Sequence, residues 1–519
     1  MKKPLIILFL LSVALVFSAC SRQGDDAQET AQATSETAAP AANADESDTA
    51  GANDGELPIA TDSDEAREHY VQGEYLMDVG RGVQSRASFL AAIEADPGFA
   101  RAYWGASNVA LSFNEFQEMI DAAGEHLPES PPSDRALVEI NSSFLTNSPS
   151  KGEVVAESLV AEYPNSARAH IVLAGMQSAS NKNEAARASF DRALEIDPES
   201  AGALMGLSTN YLFGEPKDFG KAEQVIRTFN EAYPAEARGF EILGDIHRAQ
   251  GDLEGALAAY QRAGEIDPTL ELAMHKQGHI NSFLGNIDEA RASYDAAIDL
   301  APPESKAGYA VYKCFTRIHE GDVSAAIDEL VELADNVAAM GTPDDQVKGT
   351  QIFALTSAAT VALDAGLYDR AAELIARRNE INLAVAEDVG TEDAARLITA
   401  NNLMWGGLLA AYQGNGEAAE AAAAEISELV ANDDNPRKME PVHWVRGAAA
   451  LKAGEYETAV TELRQADHAN NMYIRYQLAE ALAGAGNMDE ARPLYQQVAD
   501  FNFNSVGFAL VGDDAREKA

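Results

Sequence analysis

Residues 237–270 read ARGFEILGDIHRAQGDLEGALAAYQRAGEIDPTL. They contain two amphipathic stretches of helical length joined by a short turn. Gly251 lies in the turn, where a left-handed conformation ends a helix at little cost to a glycine. Small Gly244 lets the two stretches approach closely, and large Tyr260 fills the space between neighbouring pairs. Pro268 stops the second stretch and begins the next unit. The segment therefore predicts a pair of helices packed against each other.

This pattern recurs at a regular period, and the segments 167–200 and 271–304 repeat its order of small, aromatic and proline positions. Prolines occur at the same position of successive repeats along the chain: Pro97, Pro164, Pro198, Pro234, Pro268 and Pro302. The period, about 34 residues, and the order resemble those of the tetratricopeptide repeat (TPR) family: W-x2-L-G-x2-Y, then A-x3-F, then P. The resemblance implies an all-α chain, an α-solenoid of about twelve TPR-like helix-turn-helix repeats from residue 64 onward.

The phase of the repeat is interrupted at 338–351 and at 380–400. We interpret the interruptions as discontinuities of the superhelix, because neither has the composition of a flexible linker. They divide the repeats into an N-terminal array, 63–340, and a C-terminal array, 341–519. The last stretch, 505–519, predicts a capping helix with a polar outer face, as an open solenoid requires.

The N-terminus has the features of a secretory signal. Lys2 and Lys3 precede an apolar run, 5–17, that is too short to span a bilayer as a helix. The run ends in FSAC, 17–20, which resembles the lipobox of bacterial lipoproteins, although phenylalanine stands where leucine or valine is usual. An uncleaved N-terminal anchor helix is the alternative interpretation.

The lipobox resemblance implies that residues 1–19 are a lipoprotein signal peptide. It also implies that the thiol and the new amine of Cys20 are acylated, for example with palmitate, and several acyl chains anchor a protein stably. Ser21 rather than aspartate follows, which implies sorting to the outer membrane, with the chain on its periplasmic face.

Residues 20–62 are rich in Ala, Thr, Asp, Glu, Ser and Gly and contain almost no large apolar side chain. Such a stretch cannot bury enough surface to offset its chain entropy. Arg22 is its only base, so repulsion between acids extends it beyond the roughly 35 Å of a random coil. The stretch predicts a disordered acidic linker between the lipid anchor and the repeats.

The chain is strongly acidic, with 38 Lys and Arg against 83 Asp and Glu and a net charge of −45. Nucleic acid is excluded as a partner because its phosphates require basic clusters. Anionic lipids repel the chain, so it contacts the membrane through the lipid anchor only. The acid excess serves either solubility, as in a salty habitat, or an acidic groove for basic partners.

No constellation of catalytic residues is recognisable, and the sequence predicts neither an enzyme nor a bound cofactor or metal. The segment 214–222, GEPKDFGKA, has the wrong spacing for a phosphate-binding loop and joins two helices. His275 and His279 are one helical turn apart on one face, and His247 lies on the first helix of the preceding repeat. Two imidazoles at this spacing bind zinc when a third ligand is present, and Asp245 is a conceivable donor. Solvated or groove-lining histidines are the favoured interpretation, and a metal site is the alternative. Cys314 occupies a small-residue position and predicts a buried thiol.

In TPR proteins the first helices line a groove, and the second, fifth, ninth and twelfth positions of each repeat usually contact a peptide. On the two best-matched repeats these positions are Arg238, Glu241, Asp245 and Arg248, then Leu272, His275, His279 and Ser282. The Lys and Asn residues with which some co-chaperone TPRs bind a C-terminal carboxylate are absent, so that ligand class is excluded. The mixed charges indicate either a partner-binding face or a solvated surface.

The sequence therefore predicts a lipid-anchored TPR scaffold or adaptor that binds envelope proteins or peptides. The alternative is a lipoprotein that captures a solute, a glycan or a peptide, for a transporter. A metalloenzyme built on His275 and His279 is a third hypothesis. No sequence feature indicates an oligomeric state.

Overall fold

The computed structural model describes residues 55–110, 113–145, 148–433, 435, 437–469 and 471–519. The predicted signal peptide, Cys20 and the linker up to residue 54 lie outside the described residues. Over the described ranges the regular elements are 25 α-helices and two short 3-10 helices, with no strand. The all-α prediction is confirmed.

The first 24 α-helices of the described chain pair in order into 12 hairpins, and the last one follows them. Their bounds are α1 (Asp64–Asp78), α2 (Gly82–Ala95), α3 (Ala100–Asn108), α4 (Phe113–His126), α5 (Pro132–Leu145), α6 (Pro149–Glu162), α7 (Ala167–Ala179), α8 (Asn183–Ile196), α9 (Ala201–Phe213), α10 (Phe219–Ala232), α11 (Ala237–Ala249), α12 (Leu253–Ile266), α13 (Glu271–Phe283), α14 (Ile287–Leu300), α15 (Pro303–His319), α16 (Val323–Asn336), α17 (Asp344–Asp364), α18 (Tyr368–Val389), α19 (Glu392–Tyr412), α20 (Gly416–Leu429), α21 (Glu440–Ala453), α22 (Tyr456–Leu463), α23 (Met472–Gly484), α24 (Met488–Ala499) and α25 (Val506–Lys518).

A glycine and an aromatic ring meet inside the α11–α12 and α13–α14 hairpins. Tyr260 and Tyr294 are fully buried, and their rings lie against Gly244 and Gly278 of the preceding helix. A Cβ added at Gly278 would lie 2.8 Å from the Tyr294 ring, closer than packed atoms come. Gly251 has φ +80° and ends α11, as the turn requires. The sequence pattern therefore marks both the contact and the end of the helix.

The interruptions of the repeat phase correspond to long helices. Helices α17, α18 and α19 have 21, 22 and 21 residues, whereas most helices of the other hairpins have 13 or 14. A 3-10 helix, Val337–Met340, and left-handed Gly341 precede α17, and left-handed Gly390 precedes α19. The prolines lose their phase here because the helices lengthen.

The chain divides into two units, the first ending at Ile242 and the second beginning at Leu243. This division differs from the one at about 340 that the phase of the prolines indicates. Each unit has its own core: Leu137 and Leu159 are buried in a cluster of the first, and Leu330 and Leu408 in that of the second.

The packed part of the first unit begins before residue 63, within the stretch predicted as a linker. Leu57 is buried, and the guanidinium of Arg101 donates to the carbonyl oxygens of Leu57 and Pro58 at 3.0 and 2.7 Å. A buried arginine needs acceptors for its N–H groups, and these carbonyls supply them. The residues from Leu57 to 62 thus belong to the folded unit.

Helix α25 lies within the stretch 505–519 for which the sequence predicts a capping helix. The hydroxyl of Ser505 accepts from the backbone N–H of Phe508 and caps the helix. Phe508, Val511 and Ala515 form its buried face. No helix in the described ranges is both long and apolar enough to cross a membrane.

Candidate functional site

The candidate peptide-contacting residues are divided between the two units. Arg238 and Glu241 belong to the first, where the buried Glu241 carboxylate accepts from the Arg238 guanidinium one turn earlier. Asp245 and Arg248 on α11, with His275 and His279 on α13, belong to the second unit. We call these four residues, together with Tyr294 on α14 and His319 on α15, the α11–α15 face.

Asp245 is the centre of a buried polar network. It is 2% exposed and accepts from the Tyr260 hydroxyl at 2.7 Å, from Arg248 at 2.9 Å and from the Lys276 ammonium at 2.5 Å. Burial, followed by the charge of Asp245, raises the pKa of Tyr260 well above its usual value. The carboxylate therefore joins α11, α12 and α13, and its role is structural instead of the partner contact that its repeat position predicts.

Arg248 faces a segment from the far end of the second unit, residues 501–504, which we call the tail segment. Its guanidinium lies 3.6 Å from the centre of the Phe503 ring and donates to the carbonyl oxygen of Asn502 at 3.3 Å. The Asn502 side-chain amide donates in return to the Arg248 carbonyl oxygen at 3.4 Å. Arg248 therefore contacts a non-helical segment, which is the kind of contact that its repeat position predicts for a residue lining a TPR groove.

His279 contacts the same segment through a chain of hydrogen bonds. The Asn504 amide donates to the Tyr294 hydroxyl at 2.8 Å and lies 3.3 Å from Nδ1 of His279. The Tyr294 hydroxyl lies 2.6 Å from the same Nδ1. Burial is the main cause that holds the pKa of His279 well below its usual value, so the ring is neutral and Nδ1 accepts from the tyrosine. Nε2 of His319 lies 3.5 Å from the side-chain amide oxygen, Oδ1, of Asn504.

His275 lies in a cluster of aromatic rings. It stacks on Tyr309 with 4.3 Å between ring centres and meets the edges of His279 and Tyr312 at 4.2 and 5.0 Å. Its Nδ1 is buried, and no residue in the described part of the chain forms a hydrogen bond with it; burial lowers the pKa of His275 to about 3. Tyr309 is half-buried and Phe353 on α17 is exposed, so the cluster reaches the surface.

The described residues do not supply a metal site at these histidines. Within the ranges that the structure describes, no group of three or more His, Cys, Asp or Glu side chains lies close enough to hold a metal ion. Asp245, the third ligand that the sequence offered, is held by Lys276, Arg248 and Tyr260. The two histidines are close because they are one turn apart on α13, and their rings meet edge to face.

Cys314 and the glycine-bearing segment 214–222 have structural roles. Cys314 is buried as predicted, and burial is the main cause that raises the pKa of its thiol to about 12. In the segment, Arg187 donates to the carbonyl oxygens of Gly214 and Pro216 at 2.7 and 2.9 Å. A phosphate-binding loop instead gathers backbone N–H groups around its ligand.

In the first unit, α1 lies against helices from later hairpins. Arg168 of α7 pairs with Asp78 at 2.6 Å and with Glu74 at 3.3 Å, and Glu236 accepts from Arg81 at 2.6 Å. Contacts between hairpins distant in sequence therefore also occur there.

The sequence analysis did not single out the tail segment, FNFN, whose residues contact the α11–α15 face. Asn502 and Asn504 are 5% and 7% exposed although they lie between two helices, in a place where polar residues usually face solvent. The presence of two phenylalanines in this short connection between α24 and α25 is the sequence feature that could have indicated a buried contact.

Family models of the tetratricopeptide repeat match several parts of the chain. The matches cover 70–134 and 154–206, 244–281, 273–304, and 450–511. The chain contains tetratricopeptide repeats. The matched TPR segments include the hairpins that carry Asp245, Arg248, His275 and His279.

Two bacterial proteins named cellulose synthase operon protein C are similar to this TPR chain. The one from Xanthomonas axonopodis pv. citri (strain 306) is 27% identical over 398 residues, which cover 66% of this chain and 25% of that protein. The one from Pseudomonas fluorescens (strain SBW25) is 24% identical over 313 residues, 58% of this chain and 22% of that protein. The chain therefore spans about a quarter of the length of the curated relatives it matches.

Solved TPR structures align with parts of the chain. A tetratricopeptide repeat protein from Parabacteroides merdae ATCC 43184 is 13% identical and covers 55% of this chain and 97% of its own, with a TM-score of 0.31. MamA from Desulfovibrio magneticus RS-1 is 18% identical and covers 33% of this chain and 96% of its own, with a TM-score of 0.29. In both cases a part of this chain aligns with nearly the whole of the other.

Proposed function

We propose that the chain is a lipid-anchored TPR scaffold or adaptor that binds protein partners in the bacterial cell envelope, on the periplasmic face of the outer membrane. The observation that carries the proposal is the α11–α15 face, which holds the non-helical tail segment through amide, carbonyl and ring contacts. A face with these groups suits an extended stretch of another protein, because such stretches offer unpaired backbone and side-chain amides.

Site-specific photo-crosslinking in living cells tests the partner-binding role. A benzophenone amino acid replaces Tyr309, the half-buried ring beside His275, and in a matched control it replaces Glu289, which is exposed on α14. We expect discrete adducts from position 309 and none from position 289. Equal labelling at both positions, or none at position 309, would contradict a binding role for this face.

The anchor is tested by replacing the acylated residue. We expect Cys20→Ala to move the protein from the membrane fraction to the soluble fraction, because the acyl chains are the proposed attachment. Retention of Cys20→Ala in the membrane would support an uncleaved helix instead. Cys314→Ala is the matched control, and we expect it to leave the distribution between fractions unchanged.

The relatives' name is compatible with a second candidate function, the capture of a glycan. Because the chain spans only about a quarter of those proteins, their operon does not by itself assign an activity here. Capture of a glycan for a transporter is favoured by the ring cluster of His275, Tyr309 and Tyr312, with Phe353 exposed nearby. Cello-oligosaccharides should then raise the melting temperature of the wild type and leave that of Tyr309→Ala unchanged. A partner-binding adaptor lacks this response.

A further inference from the structure

The tail segment connects α24 to α25 without regular structure, and it does more than join them. Asn502 has φ +48°, in the left-handed region that asparagine tolerates better than most residues. Asn502 and Asn504 are nevertheless almost fully buried. A connection that only linked two helices would leave such amides in water, so their burial indicates that the segment has a binding partner.

That partner is the α11–α15 face of the same unit, which lies far from the tail segment in sequence. Asn502 exchanges hydrogen bonds with Arg248, 254 residues earlier, and Phe503 lies under the Arg248 guanidinium. Asn504 bonds to Tyr294 and lies beside His319, which are 210 and 185 residues earlier. The guanidinium of Arg248 therefore meets both the Asn502 carbonyl and the Phe503 ring, the Arg248 carbonyl accepts from the Asn502 amide, and the Tyr294 hydroxyl accepts from the Asn504 amide.

The position that receives Asn504 selects an uncharged amide. The amide N–H donates to the Tyr294 hydroxyl, which in turn has the neutral His279 as its acceptor. An aspartate at position 504 would replace the donor with a buried negative charge facing the same phenol oxygen. The two imidazoles beside it, His279 and His319, do not compensate that charge, because burial lowers the pKa of both and keeps them neutral. Asparagine is therefore preferred over aspartate by the chemistry of the site.

The helix after the tail segment has its own attachment. Phe508 of α25 packs against Phe283 with 5.2 Å between ring centres, and Lys518 pairs with Glu480 of α23 at 2.9 Å. Because α25 is held by these contacts, the hydrogen bonds of the tail segment can be removed by substitution while the capping helix keeps its place.

We propose that the tail segment is an internal ligand of the α11–α15 face. The face takes non-helical protein segments of the pattern Asn–aromatic–Asn, and a partner with that pattern binds by displacing residues 501–504. This inference rests on the proposed partner-binding function and adds to it the chemistry of the partner and a competing segment that regulates access.

The test measures binding of a synthetic peptide, ADFNFNSVG (residues 499–507), labelled with fluorescein, to the purified full chain by fluorescence anisotropy. The double variant Asn502→Ala, Asn504→Ala frees the face. We expect this variant to bind the peptide at least tenfold more tightly than the wild type does. A control peptide with aspartate in place of Asn504, ADFNFDSVG, should lose at least tenfold in affinity. Adding Tyr294→Phe to the double variant should also weaken binding of the first peptide.

Two results would overturn the inference: a folded double variant that does not bind the peptide, and a wild type that binds it as tightly as the double variant. If the double variant does not fold, hydrogen exchange on the wild type decides. Excess ADFNFNSVG should accelerate amide exchange at residues 501–504, whereas ADFNFDSVG should not. Unchanged exchange with both peptides overturns the inference.

The two proposals fail separately. Adducts at position 309 without peptide exchange would overturn the internal ligand and leave the adaptor function. Peptide exchange without adducts in cells would overturn the adaptor function and leave the internal ligand.

Discussion

Arg168 holds Asp78 through two hydrogen bonds of 2.9 and 2.6 Å, although 90 residues of sequence separate them. The bidentate pair is largely buried and joins α7 to α1 within the first unit. Such pairs are stronger and more directional than single hydrogen bonds.

We expect Asp78→Asn to lower the free energy of unfolding by about 1–3 kcal/mol, because it leaves the Arg168 charge poorly compensated. The control is Glu195→Gln, which removes the exposed ion pair with Arg192 inside α8 and should change stability by less than about 1 kcal/mol. Urea unfolding followed by circular dichroism measures both. Equal effects would show that the bond between α1 and α7 is not specially stabilising.

Gly278→Ala should destabilise the second unit. The added methyl group meets the buried Tyr294 ring, and overpacking of about 1–3 kcal/mol outweighs the gain of about 1 kcal/mol in helix propensity. Gly308→Ala on α15 is the matched control, since its added Cβ has no atom within 4 Å and should stabilise by about 0.5–1 kcal/mol. Thermal melts should therefore shift in opposite directions. The same shift for both variants would contradict the assigned packing.

Acid should destabilise the second unit through His275. The pKa is about 3 in the folded chain and about 6.5 in the unfolded chain, so the unfolded state binds the proton first. The stabilisation is complete above pH 6.5 and declines as the pH falls toward 3. We expect His275→Phe, which keeps a ring on Tyr309, to have a smaller loss of unfolding free energy between pH 7 and pH 4.5. Urea titrations at the two pH values measure the free energy of unfolding of both proteins. An equal loss in the wild type and in His275→Phe would show that His275 does not cause the pH dependence.

Asp245→Asn should lower the free energy of unfolding by about 3–5 kcal/mol. The substitution removes the negative charge that compensates the buried Lys276 and Arg248, and an uncompensated buried charge is costly. Asp288→Asn, at an exposed position in the first turn of α14, serves as the control and should have an effect below about 1 kcal/mol. A stability of Asp245→Asn equal to that of its control would mean that the network is dispensable.

The repeat could be predicted from sequence because its determinants are local. Gly278 and Tyr294 lie on consecutive helices and meet in one hairpin, so the regular period carries the contact from one unit to the next. The lengthened helices α17 to α19 disturbed the period without disturbing the hairpins, and the sequence therefore indicated a break where the structure has longer helices.

The candidate site could be predicted only in part. Repeat positions identified Arg248 and His279, which do face a non-helical segment, but also Asp245, which is buried in an ionic network. A repeat position gives the direction in which a side chain leaves its helix, but not what another part of the chain brings to it. The contact of Asn504 with Tyr294 arises from the winding of whole hairpins, and the pattern of a single repeat does not contain that information.

The hydrogen bonds between Arg248 and Asn502 change the order in which the hairpins of the second unit should unfold. In an open array of repeats each hairpin contacts only its neighbours, so the terminal hairpins fray first and the middle ones last. Here the final connection is tied to a helix near the start of the same unit, and the end of the array has partners beyond its neighbours. The tail segment therefore acts as a latch, and once it is released the hairpins of the second unit lose their protection from fraying.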